Sequence, residues 1–337
     1  MHPEVSVIIP TYNRRAMVRE AVASVVAQRC AAPSITIEVI VVDDGSTDGT
    51  AEELERLAGE INAEGAGSVR VSVVRTENRG VAAARNTGVA QATAPLIAFL
   101  DSDDLWLPHK LERQVAFMGA HQECAIAQTE EIWMRAGRRV NPGLRHRKRA
   151  GDIFDESLRT CLISPSAVIL RIGLLRQLGG FDERMAAAED YDLWLRILAN
   201  HQVGLIAEPL VMRRAGHAGQ LSATVPAIDR FRLLALLKLL DGDRLDQSQR
   251  SAVGIVIEEK CAIYAQGLRR RGRETDAITV MEIAACTTIA VADCERVTLS
   301  DSIASLLTII GKDASGTAGR PGLEANDEFA KVTEKVA

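Results

Sequence analysis

Three carboxylates crowd the end of an apolar run in "AFLDSDDLW" (98–106): Asp101, Asp103 and Asp104, with Ser102 between the first two. Like charges a few ångströms apart raise one another's pKa, so such a cluster is unfavourable unless a cation accompanies it. Hard oxygen donors at D-x-D spacing suit Mg²⁺ or Mn²⁺, which use one or two carboxylates and leave other positions to substrate phosphates and water. The blander reading makes Asp103 or Asp104 the N-cap of a helix starting near Pro108. It explains one carboxylate and leaves two unexplained. A second acid pair, Asp43-Asp44, ends another apolar run, "IEVIVVDDGS" (37–46).

The elements that must position these acids are written in the pattern around them. "VSVIIP" (5–10), 37–46, "VRVSVVR" (69–75) and "APLIAFLD" (94–101) read as strands. Helical spacing recurs over 16–28, 46–57 and 81–91, with Ser46 or Thr47 expected to cap the second of these helices. Buried strands separated by helix-length crossovers predict a mostly parallel α/β sheet of Rossmann-like type, with helices on both faces. In such sheets the ligand crevice lies outside the carboxyl ends of the strands. Both acid clusters are expected there, brought together despite some sixty residues of intervening chain.

Further along, 105–165 mixes helix signals with a basic stretch, "RAGRRVNPGLRHRKRAG" (135–151), read as a loop. As a charge run it is expected to be solvated; the alternative is a surface that guides a phosphate-bearing acceptor or touches an anionic membrane. "SAVIL" (166–170) and "GLIAEPLVMRR" read as strands, and Leu193, Trp194, Ile197 and Leu198 as the buried face of a helix. Beyond Val225 one amphipathic helix follows another, an appendage predicted over 223–311. Residues 312–337 are expected to form a mobile tail.

Composition narrows the class. The chain has 337 residues, 47% apolar and 25% charged, with a formal charge of −5 and no basic stripe of the kind that binds nucleic acid. Six scattered cysteines without C-x-x-C spacing predict reduced thiols rather than disulfides or zinc. No signal peptide and no membrane span is expected, which makes the cytoplasm the default location.

Seven segments, in order, then carry a resemblance: "VSVIIPTYNR", "VIVVDDGSTDGT", "ENRGVAAARNTGV", "IAFLDSDDLWLPHKL", "ISPSAVILR", "LGGFDERMAAAEDYDLWLRI" and "GHAGQLS". Together, over roughly residues 4–222, the chain resembles the inverting family 2 glycosyltransferases of the GT-A fold. The resemblance implies a glycosyltransferase domain at 1–222 and transfer from a nucleotide-sugar donor, UDP-linked by default. It implies that Pro10, Thr11 and Tyr12 cradle the base and that Asp43 or Asp44 accepts its N–H. Arg85 reaches either phosphate or Asp101. Asp101 and Asp103 flank Ser102 in the D-x-D metal site, Asp101 binding metal or ribose. His217 is a further metal ligand or a diphosphate contact. Glu189-Asp190 is the E-D motif whose Asp acts as general base, with an N-cap role as the plain alternative. The acceptor implied is a carbohydrate, lipid-linked or protein hydroxyl, with peripheral membrane association and no nucleic-acid partner. A nucleotidyltransferase is the rival enzyme, but neither G-x-x-x-x-G-K-S/T nor G-x-G-x-x-G occurs. A non-catalytic sugar-nucleotide-binding or scaffold protein is the rival outside enzymes.

Overall fold

The computed structural model describes residues 2–28, 35–64, 68–217, 220, 225, 227–292 and 299–315. Two compact units interleave along the chain. The first comprises Met1–Ile153, Thr160–Glu183 and His201–Ala223; the second, Phe154–Arg159, Arg184–Asn200 and Thr224–Ala337. The segment 1–222 therefore contributes to both units.

The first unit is built on a sheet whose strands are β1 (Val5–Thr11), β2 (Ile37–Asp43), β3 (Val69–Arg75), β4 (Leu96–Phe99), β5 (Leu105–Trp106), β6 (Ile126–Arg135), β7 (Arg138–Val140), β8 (Val168–Arg171) and β9 (Val203–Ala215). Their order is β3-β2-β1-β4-β8-β6-β9-β5, with β7 paired to β6. The first four are mutually parallel, as the crossover pattern predicts, and β8 reverses direction against both β4 and β6. Pro10 lies beyond the last β1–β4 pair, Ile8–Phe99, so the N–H it lacks has no ladder partner to lose.

Helices α1 (Arg15–Val26), α2 (Thr50–Ala63), α3 (Val81–Gln91), α4 (Lys110–Ala120) and α6 (Ile172–Gln177) belong to the same unit. Val18, Val22 and Val25 of α1 and Leu54 and Ile61 of α2 join a core with Val7, Ile9, Val39 and Val41. α2 begins later than expected: Gly49 stands at its N-cap, and Asp48 accepts the Thr50 N–H at 3.0 Å. Ser46, the expected cap, instead accepts the Asn13 N–H. α3 approaches β1 so closely that a Cβ on Gly88 would lie 2.4 Å from Ile8 Cγ2. Gly88→Ala gains up to ~1 kcal/mol of helix propensity but overpacks the core, which costs about 1–3 kcal/mol. A lower urea midpoint with unchanged slope is the expected result; an unchanged or higher midpoint would contradict the close packing.

The basic stretch read as a loop contains a strand. Arg138–Val140 pairs antiparallel with Trp133–Arg135, and a single 3₁₀ turn follows at Leu144–His146.

The second unit is helical: α5 (Phe154–Arg159), α7 (Glu189–Leu198), α8 (Asp229–Asp241), α9 (Gln247–Arg270), α10 (Glu274–Ala292) and α11 (Ser300–Ser315). Leu193, Trp194, Ile197 and Leu198 are buried, as their spacing predicts. α9 opens with a capping box between Asp246 and Gln249. Residues 312–315, expected to begin a tail, instead continue α11, and Lys312 pairs with Asp276 at 2.8 Å. The rest of the expected tail, 316–337, lies outside the described residues. Cys124, Cys161, Cys261 and Cys286 are free thiols, and no described helix is long and apolar enough to cross a membrane.

Candidate functional site

The carboxyl ends of β1 and β2 are tied by their turns. Asp44 donates its N–H to the Thr11 carbonyl at 2.9 Å. Asn13, in left-handed backbone, donates to Ser46 Oγ and accepts from the Thr47 N–H, both at 2.8 Å. Gly45 is required here, since φ is +79° and a Cβ would meet the Asn78 backbone nitrogen at 2.8 Å.

The two adjacent acids are used differently. Asp44 accepts the backbone N–H groups of Arg79 (3.0 Å) and Gly80 (2.8 Å), satisfying donors at the start of α3. Burial raises its carboxyl above the usual range, against the pull of those hydrogen bonds. Asp43 is wholly buried and takes only the Ser46 N–H, at 3.2 Å on Oδ1. Its Oδ2 has no hydrogen-bond donor, with Arg75 Nε 3.8 Å away, and the buried Thr11 Oγ1 is likewise unpartnered. Two orphaned buried oxygens at one sheet edge are costly unless something else binds them. Tyr12, next along, is 42% exposed, so its side chain is not part of the core.

Beyond β4 the acids of 101–104 are distributed over protein cations. Asp101 Oδ1 accepts from Arg85 at 2.7 Å, the structural one of the two contacts expected for that arginine. Asp103 Oδ2 meets Arg14 at 2.7 Å and His217 Nε2 at 2.8 Å. Asp104 is buried and spent on scaffolding: Oδ2 accepts from Ser166 Oγ at 2.7 Å, Oδ1 from the Arg214 N–H at 2.9 Å. Burial, then the charges of Asp103 and Asp101, push its carboxyl well above the ordinary range. None of the acids caps α4, whose N-cap is His109, so the bland reading fails. Ser102 is buried within the turn.

The turn rests on Ser166, whose Oγ also accepts the Asp101 N–H at 3.1 Å. Trp106 Nε1 holds the Ser166 carbonyl at 2.8 Å, and Gln114 holds that of Ala167 at 2.9 Å. Behind them Lys110 is fully buried, 3.8 Å over the Trp106 ring, and burial drives its amine well below the usual range. Ser166, Arg14 and Arg214 are further site residues; Arg14 and Ser166 lie in two of the seven segments that carry the resemblance, but their partners, some 60 to 110 residues away, leave no local sign of their roles.

The donor set fits a hard divalent cation. One carboxylate oxygen from each of Asp101, Asp103 and Asp104 lies within 4.8 Å of the others. Among the described residues, the second oxygens of Asp101 and Asp103 have no protein partner. Asp104 is committed elsewhere, which leaves the D-x-D pair as the available donors. Pro10, Thr11, Tyr12, Asp43, Asp44, Arg85, Asp101, Ser102, Asp103 and His217 thus all belong to the first unit, with Arg14 linking the β1–α1 turn to the acid turn.

Glu189 and Asp190 belong to the second unit. They open α7, after Ala188 in left-handed backbone at the N-cap. Glu189 is buried, and Asp190 is half-buried with its Oδ1 accepting the Tyr191 N–H at 2.7 Å. The third acid of that turn, Asp192, is structural, bridging Arg196 (2.9 Å) and Lys238 (2.6 Å).

A curled, mostly parallel sheet with acids at its strand ends defines a GT-A fold. Solved structures agree: TarS 1–349 of S. aureus in complex with UDP-GlcNAc matches with a TM-score of 0.62 at 19% identity, over 98% of this chain and 91% of that one. The mannosyltransferase PcManGT of Pyrobaculum calidifontis, in complex with GDP-Man and Mn²⁺, gives 0.56 at 17%, over 100% and 84%. Residues 6–175 match the model of glycosyl transferase family 2, and 96–281 that of glycosyl transferase family group 2. The chain belongs to glycosyl transferase family 2, a family of enzymes. The succinoglycan biosynthesis protein ExoU of Rhizobium meliloti is 32% identical over 74% of this chain and 73% of its own length. The UDP-Glc:α-D-GlcNAc-diphosphoundecaprenol β-1,3-glucosyltransferase WfgD of Escherichia coli is 30% identical over 60% and 72%. An uncharacterized glycosyltransferase of Rickettsia conorii is 32% identical over 61% of this chain, but the match spans only 32% of its length.

Proposed function

We propose that this chain moves a hexose from a nucleoside-diphosphate donor, UDP-linked, to an acceptor hydroxyl with inversion at the anomeric carbon. The observation that carries the reading is the gathering at one sheet edge of two orphaned buried oxygens, Thr11 Oγ1 and Asp43 Oδ2, with a D-x-D pair that keeps open oxygens. Asp43 accepts the base N–H, since Asp44 is occupied by the start of α3; Pro10, Thr11 and Tyr12 flank the base. Asp101 and Asp103 hold Mg²⁺ or Mn²⁺, with Ser102 shaping the turn. A bound divalent ion neutralises the diphosphate and stabilises it as a leaving group. Arg85 fixes Asp101, and His217 orients Asp103 and lies ready as a ligand or a diphosphate contact.

Asp190 takes the proton of the attacking hydroxyl, and Glu189 is its neighbour in the E-D motif. The motif's order in the chain and the half-buried carboxylate at the entrance of α7 support this assignment. The acceptor is a saccharide hydroxyl, lipid-linked by analogy with the diphosphoundecaprenol-linked acceptor of WfgD. The domain responsible is 1–222 with 223–311 as appendage, working in the cytoplasm at the membrane's inner face.

A thermal-shift screen of sugar nucleotides with Mn²⁺ tests the donor reading. Ligand at a hundred times its Kd should add ~2.7 kcal/mol of stability. Asp103→Ala should abolish the Mn²⁺-dependent part of donor binding in calorimetry. Absence of a shift with every sugar nucleotide, or an Asp103→Ala chain that binds donor as before, would defeat it.

A further inference from the structure

Between Glu131 and Asp152 the chain carries seven arginine and lysine residues and no acid, in a protein of net charge −5. Lys148 is buried against Glu131. Arg135, Arg138, Arg139 and Arg147 are exposed, and among the described residues none of them pairs with a carboxylate. Several exposed arginines elsewhere, Arg15, Arg56, Arg79, Arg113 and Arg159, each have one, and among the described residues none of the unpaired ones faces another arginine across a strand pair as Arg135 and Arg138 do.

The hairpin geometry sharpens the contrast. Ala136 and Gly137 both take positive φ, 46° and 76°, a two-residue turn that sets Arg135 directly opposite Arg138. Like charges facing each other across paired strands are destabilising. A cost of this kind is recovered when an anion covers the pair. Next comes Pro142-Gly143 and then Leu144, 87% exposed at the head of its 3₁₀ turn. That turn is tied back to β6 by His146 against the Trp133 ring, centroids 5.1 Å apart. Leu144 is thereby held out in solvent.

An exposed aliphatic side chain in the same short segment as several exposed arginines suits an interface that is apolar inside and phosphate-lined outside. Nucleic acid offers the phosphates but no place for Leu144, and the exposed part of the hairpin has no aromatic ring for a base to stack on. We propose that the β6–β7 hairpin and the turn after it dock on an anionic phospholipid bilayer, Arg135, Arg138, Arg139 and Arg147 meeting headgroup phosphates and Leu144 entering the acyl boundary. The inference is independent of the donor-site reading, because vesicle binding is measured without donor or acceptor.

Co-sedimentation of the full chain with phosphatidylcholine vesicles, with and without phosphatidylglycerol, is the test. Binding should require the anionic lipid and weaken as salt is raised. Arg138→Glu with Arg139→Glu should lower partitioning at least ~10-fold. Arg138→Glu places an acid opposite Arg135, so the doubly substituted chain should melt no lower than the parent, and lost binding cannot be ascribed to unfolding. Leu144→Asn, which leaves every charge in place, should reduce partitioning severalfold and leave the salt dependence intact. Equal binding to neutral vesicles, no loss in either variant, or retention of a short oligonucleotide in preference to vesicles would each overturn the proposal.

Discussion

Asp190→Asn should lower kcat by ~10²–10⁴ while the donor still stabilises the variant as it does the parent chain. The substitution keeps the side chain's size and its capacity to accept from the Tyr191 N–H, so α7 begins in the same way. What is lost is the carboxylate's charge and with it the ability to take a proton. A purely structural Asp190 gives a different pattern: the negative charge in the first turn of α7 is worth ~0.3–1 kcal/mol of helix stability, and its loss would appear in melting temperature before it appeared in turnover. The decisive readout is therefore the split between the two. A large drop in sugar transfer to an acceptor that the parent chain uses, with an unchanged donor-induced thermal shift, assigns the proton to Asp190. Asp190→Glu should recover part of the rate, because the carboxylate returns at a longer reach. Near-parental turnover in Asp190→Asn would remove this residue from the chemistry. Asp192→Asn is the control within the same turn: it breaks the pairs to Arg196 and Lys238 and should lower stability without a selective loss of kcat.

What could be read from the sequence follows a physical division. β1 and β2 are β-branched runs and β4 a short apolar one, nearly all buried, while the edge strand β3 is rich in valine; local composition reveals them, and the acids after β2 and β4 stand out against that background. β6 is hidden for the opposite reason. Its ten residues carry Gln128, Thr129, Glu130 and Glu131, and register shifts at 129–131 break the two-residue alternation that marks a strand. Its buried carboxylate is compensated by Lys148, seventeen positions on, inside a run that reads as solvated charge. The same holds at the acid turn. The D-x-D spacing announces a cation, but Arg14 and His217, which meet Asp103, sit on either side of it by about 90 and 114 residues. Charge compensation across such separations leaves no periodic trace. The split between Asp43 and Asp44 is also decided at a distance, by the start of α3 claiming one carboxylate. Adjacent identical residues could not have disclosed it.

The Glu131–Lys148 pair supplies the largest stability effect expected in this chain. Both side chains are almost fully buried, with Nζ 3.2 Å from Oε1. Ser164 Oγ also donates to Oε1, Trp133 Nε1 donates to Oε2 at 2.9 Å, and Lys148 donates to the Leu162 carbonyl at 3.0 Å. Burial alone would raise the Glu131 carboxyl. The charges of Lys148 and Arg213, with the Ser164 and Trp133 hydrogen bonds, more than reverse this and bring it down to about 2. A carboxyl depressed from 4.5 to about 2 contributes stability that is fully present above pH 4.5 and lost as pH falls toward 2. The contribution is about 3 kcal/mol. Lys148→Met removes the cation in direct contact and leaves the buried carboxylate only the more distant charge of Arg213, which should cost about 3–5 kcal/mol at neutral pH. That deficit should shrink as pH is lowered toward 4, because protonating Glu131 relieves the buried charge in the variant, while in the parent the unfolded-state carboxyl begins to take up protons and the pair's contribution starts to be lost. Adding Glu131→Leu to Lys148→Met should restore most of the loss, since an apolar pair of similar volume can replace a buried ion pair at little cost. Urea denaturation of the parent, the single and the double variant across this pH range measures all three quantities. A Lys148→Met deficit below about 1 kcal/mol, or one that does not change with pH, would mean that solvent reaches the pair and that β6 is not held in place by buried charge.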